Sequence, residues 1–70
     1  MKNSKQCITR PKESFSGIAS NGYHYEFDDT KEYACRIEHG VAFVVDKNGF
    51  EVLFDESDFS EWFEHIKTPI

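Results

Sequence analysis

From Val41 to Phe54 the chain reads VAFVVDKNGFEVLF, two apolar runs on either side of Asp-Lys-Asn-Gly. The first run is the most apolar in the protein and reads as an interior strand. In the second, Phe50, Val52 and Phe54 alternate with Glu51 and Leu53, the period of a half-buried strand. Asp46 to Gly49 between them has the composition of a type I turn closed by a glycine at positive φ. An antiparallel hairpin is therefore the starting point of the fold.

The residues before it extend the same pattern. In "KEYACRIEH" Tyr33, Cys35 and Ile37 share one face and Glu32, Ala34, Arg36 and Glu38 the other, and His39-Gly40 makes a tight link into Val41. Asp28, Asp29 and Thr30 interrupt with turn chemistry, because short Asx side chains bond their own backbone. Further upstream, Asn21-Gly22 joins "SFSGIAS" to "YHYEF", the strongest local signal for a two-residue hairpin loop. That loop would set Ile18 opposite Tyr25 and put Ile18, Tyr23, Tyr25 and Phe27 on one side. Four to five strands in meander order follow, with sequential neighbours paired.

After Phe54 the period changes. Phe59, Trp62, Phe63 and Ile66 fall at i, i+3, i+4 and i+7, one apolar helical stripe suited to the open face of a sheet. Asp55, Ser57 and Asp58 supply candidate N-caps, Asp58 and Glu61 have capping-box spacing, and Pro69 stops extension. Burying each stripe residue is worth about 1.5–3 kcal/mol, so the stripe should close the core and the fold should not survive loss of Trp62. The class expected is α+β: a small antiparallel β-meander with one C-terminal amphipathic helix on the sheet.

Composition limits the function classes. Seventy residues with seven Phe and 16% aromatics can form a single core of modest stability. Net charge is −5, yet residues 1–12 carry Lys2, Lys5, Arg10 and Lys12 with no acid, so the remaining four bases and thirteen acids leave the rest at −9. Residues 1–12 read as a flexible basic tail and 13–70 as a single acidic domain. Cys7 and Cys35 are too few for a disulfide framework, and no apolar leader or membrane-length run is present, so the expected compartment is the cytoplasm with both thiols reduced, a secreted chain with one Cys7–Cys35 bridge being the second reading. On that reading Cys7 is mobile and Cys35 a core residue.

No constellation for catalysis or metal binding emerges. Among the candidates His24, Cys35, His39 and His65, Cys35 and His39, four apart on a strand, would stand about 13 Å from each other, and no CxxC or HxxxH pair exists. "DKNGFE" resembles a calcium loop only at its start, and a hairpin turn accounts for it. Ser60 and His65 at i, i+5 do not share a helix face, and the four glycines stand singly, so neither a nucleophile–base pair nor a phosphate loop is formed. The chain is read as non-enzymatic and without cofactor.

What remains is binding. Asp55, Glu56, Asp58, Glu61 and Glu64 would lie on the wet side of the helix; they solubilise it in the plain reading and dock on a basic protein surface in the functional one. An exposed sheet edge offers a second route, by strand addition, and also a route to a homodimer. Direct nucleic-acid contact through Lys2, Lys5, Arg10 and Lys12 with Tyr23, Tyr25 and Tyr33 is the alternative, opposed by the −9 body. A small regulatory or inhibitory module that binds a basic protein, with no membrane role, is the expectation.

Overall fold

The computed structural model describes the backbone from Lys5 to Lys67 and the side chains from Gln6 to Glu64. Within those residues the order is β1 (Lys5–Pro11), β2 (Phe15–Ile18), β3 (His24–Phe27), β4 (Tyr33–Glu38), β5 (Val41–Val45), β6 (Glu51–Asp55), α1 (Glu56–Trp62) and β7 (Phe63–Lys67). An antiparallel five-stranded sheet, ordered β6-β5-β4-β1-β7, carries α1 against it, while β2 and β3 form a separate hairpin. The α+β class with a C-terminal helix on an antiparallel sheet is thus the observed one, and β4-β5-β6 is its meander.

The first difference from expectation lies at the N-terminus. Lys5–Pro11 is not a tail but strand β1, paired antiparallel with β4 on one side and β7 on the other. Its pattern is half-hidden: Cys7, Thr9 and Pro11 are buried while Gln6 is exposed and Ile8 and Arg10 are half-buried. Thr9 escapes a hydropathy reading, yet it is fully buried because its hydroxyl donates to the Glu64 carbonyl at 2.6 Å. Lys2 lies outside the described residues.

The second difference concerns the thiols. Cys7 and Cys35 are cross-strand partners with Cα atoms 5.3 Å apart, and they form a disulfide instead of two free thiols. Directly opposed positions on adjacent strands bring the Cβ atoms within bridging distance, which a mobile tail would not do. Both cysteines belong to the core, with Phe27, Tyr33, Ala42, Val44, Val52, Phe54, Phe59 and Phe63.

The third is the C-terminal helix, which is only seven residues long. Asp55 is its N-cap but makes no side-chain cap bond, and neither Ser57 nor Asp58 takes that place. At Phe63 the backbone turns extended (φ −123°, ψ 150°) and runs beside β1, with Lys12 N–H bonded to the Trp62 carbonyl at 2.9 Å. The long-range ladder outweighs the local helical period, an override that helix propensity cannot anticipate. Phe59 and Phe63 are still both buried and stack at 5.2 Å, but Trp62 is 42% exposed, covered only in part by Phe15 and Phe54. The side chain of Ile66 lies outside the described residues.

The β2–β3 hairpin is also one residue out of the expected register. Ala19 N–H bonds Tyr23 O, Gly22 N–H bonds Ala19 O, and only Gly22 of the Asn21-Gly22 pair has positive φ (88°), so a type I turn with a glycine bulge replaces the two-residue loop. Ile18 consequently faces His24, and Gly17 faces Tyr25. A slip of one residue reverses the face of every side chain, which is why Ile18 is 62% exposed. Phe15 and Phe27 instead enter the core, where the Phe27 ring meets Phe15, Tyr33, Phe54 and Phe63 at 4.9–6.1 Å.

Two stability outcomes follow from this packing. Replacing Cys7 and Cys35 together by Ser releases a loop of 28 residues and should lower unfolding free energy by about 3–4 kcal/mol in chemical denaturation. Phe27→Ala should cost about 3–5 kcal/mol and clearly more than Trp62→Ala, whose half-exposed ring does not carry the loss of fold expected from the helical stripe.

Candidate functional site

The five-stranded sheet ends at β6, whose far side no described strand occupies. Which of its peptide groups are free follows from the β5–β6 ladder. Asp46 N–H bonds Phe50 O at 2.9 Å and Glu56 N–H bonds Gly40 O at 3.0 Å, so those pairs are hydrogen-bonded. Bonded and non-bonded pairs alternate along an antiparallel ladder. With Val41 opposite Asp55, Phe43 opposite Leu53 and Val45 opposite Glu51, these three pairs are the non-bonded ones. The N–H and C=O groups of Glu51 and Leu53, and the N–H of Asp55, therefore point away from β5 to the open edge.

The side chains alternate in step. Val52 and Phe54 are buried, while Glu51, Leu53 and Asp55 lie on the outer face, Leu53 at 61% exposure. On that face the Arg36 guanidinium sits 4.0 Å over the Phe43 ring and is shared by Glu38 (2.9 Å) and Glu51 (3.2 Å). The Glu51 hydrogen bond is the main reason its guanidinium pKa is pushed up, with Glu38 adding to it. One cation between two carboxylates leaves the patch negative. Along its edge a groove of about 360 Å³ separates β6 from the β2–β3 hairpin, bordered by Ile18 and Tyr25 on the hairpin and by Phe50, Glu51, Val52 and Leu53 on the other side.

A polar clip fixes where β6 begins. Asp46 Oδ1 accepts from the amides of Asn48 and Phe50, both at 2.9 Å, which holds the turn whose Gly49 has φ 86°. Asp46 Oδ2 accepts from the Tyr23 hydroxyl at 2.5 Å, and Asn48 Nδ2 donates to the same phenol oxygen. The Tyr23 ring stacks on Phe50 at 4.1 Å, tying the tip of the hairpin to the start of β6. Burial alone would raise the Asp46 pKa, but the bonds from Tyr23, Phe50 and Asn48 outweigh it and hold the carboxyl below its ordinary value. Donation to that carboxylate pushes the Tyr23 phenol up.

The five acids singled out from sequence do not share one helix face. Asp55 closes β6 as the N-cap, Glu56, Asp58 and Glu61 lie in α1, and Glu64 is on β7, 3.6 Å from Arg10. Among the described residues Asp55, Glu56, Asp58 and Glu61 make no ion pair, and no basic residue lies between Phe50 and Glu64. Edge strand and short helix thus carry, one after the other along the chain, an acidic rim without a base. Sequence reading missed Glu51 and Leu53 as its members; a leucine out of phase with Phe50, Val52 and Phe54, between two acids, was the available signal.

The residues of the nucleic-acid alternative are scattered. Lys5 opens β1, Arg10 is paired to Glu64, and Lys12 follows the strand. Tyr33 is buried with its hydroxyl accepting from Asp28 N–H, Tyr25 lies across Gly17, and Tyr23 belongs to the Asp46 clip. No described trio of His, Cys, Asp or Glu is placed to hold a metal ion, and no described helix is long and apolar enough to cross a membrane.

Comparisons with protein-family models, with curated proteins and with solved structures returned no match.

Because the folded-state pKa of Asp46 is depressed, its contribution to stability is present above the unfolded carboxylate value and is lost as pH falls through the folded one. Asp46→Asn should be less stable than the parent at about pH 7 and lose less stability on acidification below about pH 4, as read by urea unfolding across that range.

Proposed function

We propose that this protein is a small non-enzymatic module, regulatory or inhibitory in role, that binds a partner protein through its acidic rim. The observation that carries this reading is the run Asp55, Glu56, Asp58 and Glu61, which make no ion pair among the described residues and follow directly on Glu51, itself shared with Arg36, with no basic residue between them in the chain. A negative rim of this kind draws in and orients a basic surface, and its effect falls with salt. A small chain that occupies such a surface competes with whatever else binds there, which is the physical basis of an inhibitory role. The helix is too short to present a phosphate-like row by itself, so the acids of β6 extend it.

The buried Cys7–Cys35 bridge supports a compartment in which disulfides persist, in place of the reducing cytoplasm expected from two free thiols.

Reversal of Glu56, Asp58 and Glu61 to Lys tests the rim. These side chains take part in no described hydrogen bond or ion pair, so the variant should fold with a stability change of about 1–2 kcal/mol or less. Immobilised parent should retain basic proteins at low salt and the variant should lose them; equal retention by a folded variant removes the reading.

A further inference from the structure

Glu51 and Leu53 on β6 expose both backbone donor and acceptor, and Asp55 adds a donor, over a length that suits a strand of about five residues. Resting on the protein-binding reading above, we propose that the partner docks as an extended segment added to the β6 edge, with a basic residue opposite Glu51, another opposite Asp55, and apolar residues between.

The pattern follows from the pleat. Side chains opposite Glu51, Leu53 and Asp55 fall on the outer face, where the register places carboxylates at both ends and a 61%-exposed leucine in the middle. Opposite-charge and apolar cross-strand pairs stabilise such an arrangement. Side chains opposite Val52 and Phe54 fall on the inner face, toward the groove bordered by Ile18 and Tyr25. The complementary sequence is therefore basic, three apolar, basic, one motif that reads two faces of the edge at once.

The same register argues against a second copy of this chain. Two β6 strands paired antiparallel about Leu53 would set Glu51 opposite Asp55 at both ends, and directly opposed like charges destabilise a strand pair. The acids that exclude self-pairing are those that select a basic strand, a common way of guarding an edge turned to recognition.

The test uses the full chain and a peptide with the core Lys-Val-Val-Val-Lys, beside one with Glu for Lys and one with a central Pro. Amide exchange of Glu51 and Leu53 should slow about tenfold on adding the Lys peptide, with no change for either control. Leu53→Pro removes an edge N–H that β5 does not use, so it should leave the fold intact and weaken the Lys peptide about tenfold. Should that variant unfold, the exchange pattern of the parent carries the test. Binding that survives Leu53→Pro but is lost on reversing Glu56, Asp58 and Glu61 overturns strand addition and leaves the acidic rim standing. Equal binding of the Glu peptide overturns both. No binding of the Lys peptide, or a dimer in sedimentation that Leu53→Pro abolishes, overturns strand addition by a basic partner, and the rim is then judged by its own charge-reversal experiment.

Discussion

The insertion of β1 between β4 and β7 is the constraint on which the rest of this architecture depends. Without Lys5–Pro11 in place, β4 would be an edge strand and β7 would have no neighbour at all. The covalent Cys7–Cys35 bridge reinforces the β1–β4 side of this insertion, and the Thr9 hydroxyl bonded to Glu64 O reinforces the β1–β7 side. A chain this short buries only about 60% of its unfolded surface, so a cross-link that restricts the unfolded ensemble has a large relative effect. The helix is a dependent of the same insertion: its last carbonyl, on Trp62, is taken by Lys12 N–H where β1 ends, and the chain then leaves the helical path.

That dependence explains what could and could not be read from the residues. Where the determining interaction is local, the reading holds: the Asp46–Gly49 turn with its positive-φ glycine, the His39-Gly40 link with φ 51° and 78°, and the Asx turn in which Asp28 Oδ1 accepts from Thr30. Where it is long-range, the local signal misleads. Lys5 to Pro11 shows no apolar alternation because its buried positions are Cys, Thr and Pro, and each becomes a core residue only through a partner on β4 or β7. Phe59 and Phe63 illustrate the opposite case: their spacing correctly announces that both are buried, although one is on a helix and the other on a strand.

The turn at Asn21-Gly22 shows how little separates two outcomes. Asn-Gly favours a two-residue loop, but here Asn21 Oδ1 accepts from Tyr23 N–H and only glycine takes the left-handed conformation. The same Asn-Gly-aromatic order recurs at Asn48-Gly49-Phe50, and both turns end in an aromatic ring that stacks on the other. The shared geometry, joined through Asp46, fixes the hairpin against the start of β6. Packing between two turns distant in sequence selects the register, and the displaced Ile18 is its visible consequence.

Of the candidate site, the identity of most acids was legible and their arrangement was not. Asp55, Glu56, Asp58 and Glu61 stand out as a run without bases, but a helical reading places them on one cylinder and adds Glu64, which the structure moves to the opposite edge strand and pairs with Arg10. The feature that gives the rim its shape is the free side of β6, and an edge is a property of strand order, not of any residue. The tip of the β2–β3 hairpin is tied to the start of β6 by the Tyr23–Asp46 clip, and its body packs over the inner face through Phe15, Tyr25 and Phe27 against Phe54. Five residues of strand then remain open between a groove and an acidic face. The clip that orders the turn thus also anchors the tip of the hairpin beside the first residue of β6.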